Sequence, residues 1–248
     1  MGKDKKILSK LSSVMGSVIP VYSRIPLILT VAVNMAVYLG ARLIAGDWYH
    51  YNMETAFDRM IPFWPPSAAI YLGCYIFWAV NYILIARQEK RKVCQFFAGD
   101  VLSRLICLAF FLLIPTTNIR PAVDSTGFWN QVMRLIYAVD APDNLFPSIH
   151  CLVSWFCYIG IRDCRGISAG YRRFSGIMAV LVCISTLLTK QHVIADVAGG
   201  IFLAEICFLV GKCPAVSRFY GNLIDRVNRV IFGIRGEDDH AEQKKSAV

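Results

Sequence analysis

The chain has 248 residues, 56% of them hydrophobic and only 17% charged, with a mean hydropathy of +0.50. Soluble domains carry about 25% charged residues, so this composition argues against a soluble globular protein and for residence in a bilayer. The net charge of +9 is dispersed over the loops, which speaks against a nucleic-acid partner and reads as a topology signal with secondary attraction to anionic headgroups.

In chain order, residues 5–19 place Ile7, Leu8, Leu11, Val14, Met15 and Val18 at helical spacing among lysines and serines. That pattern predicts a helix lying in the membrane interface and ended by Pro20. Six apolar runs follow, at 26–46, 67–86, 96–115, 146–161, 174–189 and 193–211. They are continuous rather than alternating, so they predict an all-α bundle of six transmembrane helices and not a β-barrel. Between the first two runs, Trp48, Tyr49, Tyr51, Phe63 and Trp64 fit an aromatic belt at the outer interface. The 116–145 segment is the longest extracytoplasmic loop, and long ordered loops tend to carry function. Residues 216–234 are again amphipathic and suit either an interfacial or a packing helix. The last stretch, 236–248, is charged and lacks large aromatics, which predicts disorder. Residues 1–235 thus form a single membrane domain.

Orientation follows from Lys and Arg. Of 26 basic residues, 20 fall before the first run, in the 87–92 and 162–173 loops, or after residue 211. Both termini are therefore expected in the cytoplasm of a multi-pass protein of the plasma membrane. Nine cysteines form no CxxC pair and lie mostly inside the apolar runs, as small buried residues do.

The chemistry concentrates at two helix starts that this orientation places on the extracytoplasmic side. Pro147-Ser148-Ile149-His150 opens the fourth run, with Pro147 expected at the first helical position and Ser148 and His150 beside free N–H groups. His192 and Asp196 open the sixth, one helical turn apart. A carboxylate there fixes the imidazole tautomer and leaves the other ring nitrogen free to attack phosphorus. His150 is available as the acid, and Arg120, just past the third run, returns to the same side to steady phosphate charge. His-x-x-x-Asp alone is common, and capped helices with interfacial histidines are the bland reading. The joint pattern outweighs it, because ionisable groups at membrane depth are costly. The spacing singles out no metal site.

Here the chain resembles the type-2 phosphatidic acid phosphatase (PAP2) superfamily over roughly 58–211. The second family motif is complete at Pro147, Ser148 and His150, and the third runs from Ser185 through His192 to Asp196. The resemblance implies a six-helix membrane enzyme without cofactor or metal, with His192 as nucleophile, His150 as acid and Asp196 orienting His192. Arg120, Ser148, Ser185 and Lys190 are the expected substrate-binding residues. Leu113 and Thr186 stand where the family has lysine and arginine, and Lys190 or Arg134 is available to substitute. This thinned clamp, with Ile61-Pro62-Phe63, looks like the branch of inositol phosphorylceramide and sphingomyelin synthases. The implied function is hydrolysis of a lipid phosphate or pyrophosphate through phosphohistidine. The alternatives are transfer of a phospho-headgroup to a lipid alcohol, and an inactive lipid-binding protein of the same fold. Glu205 and Arg104, at comparable depth, are expected to form an interhelical ion pair, with Asp100 competing as a local partner for Arg104.

Overall fold

A computed structural model of the protein describes residues 19–232, and the chain there is almost wholly helical. In order run α1 (Val21–Ala45), α2 (Ala56–Met60), α3 (Ala68–Ala86, entered through a 3-10 turn at Pro65–Ser67) and α4 (Lys90–Leu113). There follow α5 (Phe128–Val139), α6 (Ile149–Ile161), α7 (Ala169–Leu188), α8 (Ile194–Lys212) and α9 (Pro214–Phe232). The only β-structure among the described residues is a two-residue parallel bridge, β1 (Tyr51–Asn52) with β2 (Thr116–Thr117).

Five helical segments are long and apolar enough to cross a membrane: α1, Pro65–Ala86, α4, α7 and α8. The run predicted at 146–161 yields a shorter helix, α6, of 13 residues. At 1.5 Å per residue that is about 20 Å, less than a bilayer core. Its position explains its length. Leu152, Phe156, Cys157, Ile159 and Ile161 are buried, and α6 packs against α3, α4, α7 and α8. Protein surrounds it, so lipid thickness does not set its ends. The outer helices are inverted relative to a soluble domain: Ile28, Val31, Ile76, Ile177, Phe202 and Leu209 all face outward. Eight of the nine cysteines are buried and free, as expected, and Cys213 is exposed.

The closest helix packing uses glycine. A Cβ on Gly99 would stand 2.4 Å from Cys207 O, and one on Gly211 would stand 2.3 Å from Gln95 O, so α4 and α8 meet backbone to backbone. At one end of the bundle, Ser23 Oγ donates to Ala86 O (2.6 Å), Tyr22 Oη donates to Gln88 O (2.8 Å), and Lys90 pairs with Asp225 (2.9 Å). The opposite end carries the β-bridge and every residue of the candidate site.

Two further expectations are revised. The predicted Arg104–Glu205 pair does not form. Arg104 Nη2 donates to Asp100 Oδ1 (2.9 Å), and Asp100 also accepts from Tyr82 Oη (2.7 Å) and Thr30 Oγ1 (2.8 Å). The i,i+4 register turns both residues toward α1 and α3, away from Glu205. That carboxylate instead accepts from Arg162 (3.0 Å) and Trp155 Nε1 (2.9 Å). The 116–145 segment is not simply a loop. It contains α5, whose Met133 and Ile136 pack on Ala68 and Tyr71. The helix expected at 216–234 is present as α9 through Phe232, the last described residue; Tyr220 and Ile224 are buried, while Phe219, Leu223, Val230 and Ile231 face outward. Apart from Ile19, the helix expected at 5–19 lies outside the described residues, as does the 236–248 tail.

Candidate active site

The turn between α7 and α8 sets the position of His192. α7 ends in a Schellman arrangement: Gln191 N donates to Thr186 O (3.0 Å) and Lys190 N donates to Leu187 O. Lys190 takes the left-handed conformation, φ 53°, that such an end demands. His192 N also donates to Thr186 O (3.2 Å), so the chain leaves α7 with His192 already aimed. One turn into α8, the buried Asp196 accepts from His192 Nδ1 (3.3 Å) and from Val193 N (3.0 Å) through the same oxygen. An ionised carboxylate only accepts, so Nδ1 carries the proton and Nε2 is left free. Burial opposes charge on His192, but the hydrogen bond and charge of Asp196 outweigh it and raise its pKa above the ordinary 6.5.

α6 enters the site beside α8. Ser148 is the N-cap of α6: its Oγ accepts from Cys151 N (3.3 Å), and its own N–H donates to Asp196 O (3.1 Å). Pro147, expected at the first helical position, instead stands two residues before Ile149, after a cis peptide with Phe146. Close approach requires Gly200, where a Cβ would lie 2.6 Å from Ser148 O. This junction brings the His150 and His192 rings to 6.0 Å. An aromatic stripe on α3, spaced i, i+4, i+7, holds His150. Tyr71 stacks on it at 4.5 Å, Tyr75 lies at 6.2 Å and Trp78 at 5.5 Å. Trp78 Nε1 donates to Ser154 Oγ (2.8 Å), and Tyr71 Oη donates to Asp140 Oδ2 (3.0 Å). Asp140 accepts from Tyr38 Oη (2.7 Å) as well.

Arg120 reaches the same place from the irregular segment that follows β2. Its guanidinium donates to Asp140 O and to Gln191 Oε1 and lies 4.7 Å over the Tyr137 ring. Asn118 Nδ2 donates to Lys190 O (2.9 Å), fastening this segment to the His192 turn. Lys190 Nζ donates to Asp58 O (2.8 Å) and lines a small cavity with Glu54, Asp58, Asn118 and His192. Three buried polar nitrogens here, Arg120 Nε, Gln191 Nε2 and His150 Nε2, have no hydrogen-bond partner within the protein.

The remaining predicted residues are placed differently. Ser185 Oγ donates to Val182 O (2.7 Å) and Ser185 O accepts from Thr189, so its bonds stay within the end of α7. Thr186, at the family's arginine place, is buried and donates to Cys183 O (2.7 Å). Leu113, at the lysine place, is 78% exposed, and Arg134 is exposed on α5. Sequence reasoning missed Asp58, Tyr71, Asp140 and Gln191. The Tyr71, Tyr75, Trp78 spacing was the available signal for α3. Asp58 and Asp140 act across long sequence separations and left none. No group of three or more His, Cys, Asp or Glu among the described residues is arranged to hold a metal ion.

Comparison with known proteins bears on the family of the chain. No curated protein and no solved structure matches the chain. A family model described as PAP2 superfamily matches residues 48–210. That span takes in Asp58, Arg120, both histidines and Asp196, and covers well over half of the sequence, so the chain belongs to the PAP2 superfamily.

Proposed function

We propose that this PAP2-superfamily protein is a membrane phosphatase that hydrolyses a lipid phosphate or pyrophosphate through phospho-His192. The convergence of His192, Asp196, His150 and Arg120 at one end of the bundle carries this reading. Nε2 of His192 forms a bond to phosphorus while the bond to the leaving oxygen breaks, and His150 gives that oxygen its proton. Water then attacks phosphorus, returns a proton to His150 and frees His192. Arg120 Nε, Gln191 Nε2 and the Ser148 hydroxyl are the donors that meet the phosphoryl oxygens. Lys190, with one proton engaged by Asp58 O, keeps two for the substrate. Ser185 supports the turn that presents Lys190 and His192. All of this proceeds without a metal.

In the membrane the same reading makes α6 the sixth span, shielded by its neighbours, with both termini cytoplasmic. The site then opens to the extracytoplasmic side of the plasma membrane, where α3, α6 and α8 begin. The 87–92 and 162–173 loops, rich in Lys and Arg, lie at the other end.

A second reading, transfer of a phospho-headgroup to a lipid alcohol, is favoured by one observation. Leu113 points outward and Thr186 is bound within its own helix, which leaves Arg120 and Lys190 as the cations of the clamp. Such a clamp suits a singly charged phosphodiester, as in the inositol phosphorylceramide and sphingomyelin synthase branch.

The test is a panel of lipid monophosphates, pyrophosphates and phosphodiesters given to the full chain in vesicles, with and without chelator and with an added lipid alcohol. Release of free phosphate or pyrophosphate-derived phosphate that survives chelation and falls at least about 10³-fold in His192→Ala is expected. Turnover unaffected by His192→Ala overturns the mechanism. A phosphorylated alcohol as product selects transfer, and inactivity toward the whole panel selects a lipid-binding role.

A further inference from the structure

Asp58 lies outside all three motifs, in the short helix α2 between the first two spans, yet it is 4% exposed. Its carboxylate is fully engaged. Oδ2 accepts from Thr55 N (2.8 Å) and Thr55 Oγ1 (2.5 Å). Oδ1 accepts from Ile194 N (2.7 Å), the first residue of α8, 136 positions away. Its backbone carbonyl, which substitution of the side chain leaves in place, accepts from Lys190 Nζ (2.8 Å) on the far side of His192. One residue therefore grips the 190–194 turn at both ends, with His192 between the grips. A carboxylate at a helix start satisfies an orphan N–H and opposes the positive end of the dipole. Burial works against its charge, but the bonds from Thr55 and Ile194 and the nearby Lys190 outweigh that and hold the carboxyl below its usual range. It is thus ionised whenever His192 is in its working range.

Asp196 orients the imidazole of His192, and Thr186 O and Asp196 hold the turn's backbone from within the third motif; Asp58 holds the same turn from the other side. We propose that Asp58 is the positioning residue for the nucleophile turn. It anchors Ile194 and Lys190 from outside the motifs, so that Nε2 of His192 keeps its line toward the phosphoryl group. A displacement of an ångström at a reacting atom lowers the rate about 10²-fold while leaving ground-state binding nearly intact. The role rests on the nucleophile assignment to His192, so it needs a reading that does not depend on turnover.

Amide hydrogen exchange of the full chain in vesicles supplies that reading, with Asp58→Ala and Asp58→Asn beside wild type. In Asp58→Ala, exchange over 189–196 should rise about tenfold with the rest of the bundle unchanged, as expected for loss of a cap and its charge. On whichever panel lipid the wild type turns over, kcat should fall about 10- to 100-fold with KM within about threefold. Asp58→Asn keeps one acceptor oxygen and should show both effects at intermediate size; should Asp58→Ala fail to fold, the Asn variant carries both readings. Unchanged exchange over 189–196, exchange that rises there with wild-type kcat, or a rise throughout the bundle each overturns the proposal. Full turnover in His192→Ala would sink the nucleophile assignment alone, and the exchange result on Asp58 would still stand as a test of the anchor.

Discussion

His192 and Asp196 are coupled through a single hydrogen bond of 3.3 Å, and that bond sets both tautomer and protonation. In the proposed mechanism neutral His192 attacks and protonated His192 does not. Because Asp196 raises the His192 pKa above 6.5, the rate should climb with pH through a limb above that value. In Asp196→Asn the limb should move to lower pH and the maximal rate should fall by about 10²- to 10⁴-fold, read from a pH–rate profile. The sign for stability is the reverse. A pKa raised by folding contributes stability that is present below the unfolded value and is lost as pH rises through the folded one. Lys190 permits a cleaner test of the clamp. Its left-handed backbone accepts glycine without strain, so Lys190→Gly removes the ammonium, and with it the bond to Asp58 O, while the backbone bonds of the turn and the Asp58–Ile194 grip remain. We expect KM for the lipid phosphate to rise about tenfold with the fold intact, measured by initial rates and a melting curve. His192 and Asp196 were readable in the sequence because i,i+4 geometry is local. Gln191 adjoins His192 in the chain, but only the Schellman turn brings its amide against Arg120.

Helices meet where glycine lets their backbones touch. At Gly200 the facing atom is the Ser148 carbonyl, which cannot step aside as a flexible side-chain tip would. Gly200→Val should push the start of α6 away from α8, separate His150 from His192 and cost about 1–3 kcal/mol in thermal unfolding together with activity. Gly73→Ala on α3, with nothing within 4 Å of the new methyl, should leave both unchanged. The Asp100–Arg104 pair is a different kind of dependence. Asp100 is 0% and Arg104 1% exposed, and three further hydroxyls join their network. Asp100→Asn leaves a buried guanidinium without its counter-charge, and a loss of about 3–5 kcal/mol is expected in the same unfolding assay. Depth along the helices suggested Glu205 as partner. Helix rotation decided otherwise, and a sequence carries depth far better than it carries rotation.

At the scale of the whole molecule, every candidate site residue lies at one end of the bundle and the dense basic loops lie at the other. Cys213, the exposed cysteine, sits at the basic end between α8 and α9. An impermeant maleimide should therefore label it in permeabilised but not in intact cells, while Thr126→Cys, in the loop before α5, should label in intact cells. The opposite pattern would invert the proposed topology. Composition and periodicity by themselves determined a helical membrane protein, the positions of its long helices and the two histidine motifs, since each depends on residues near one another in the chain. Tertiary structure alone decided that α6 is short and enclosed, that α5 covers the site, and that Asp58, Tyr71, Asp140 and Gln191 surround the histidines. Those contacts join segments as far apart as 136 residues, and hydropathy records how readily a segment enters lipid without recording which neighbour it faces.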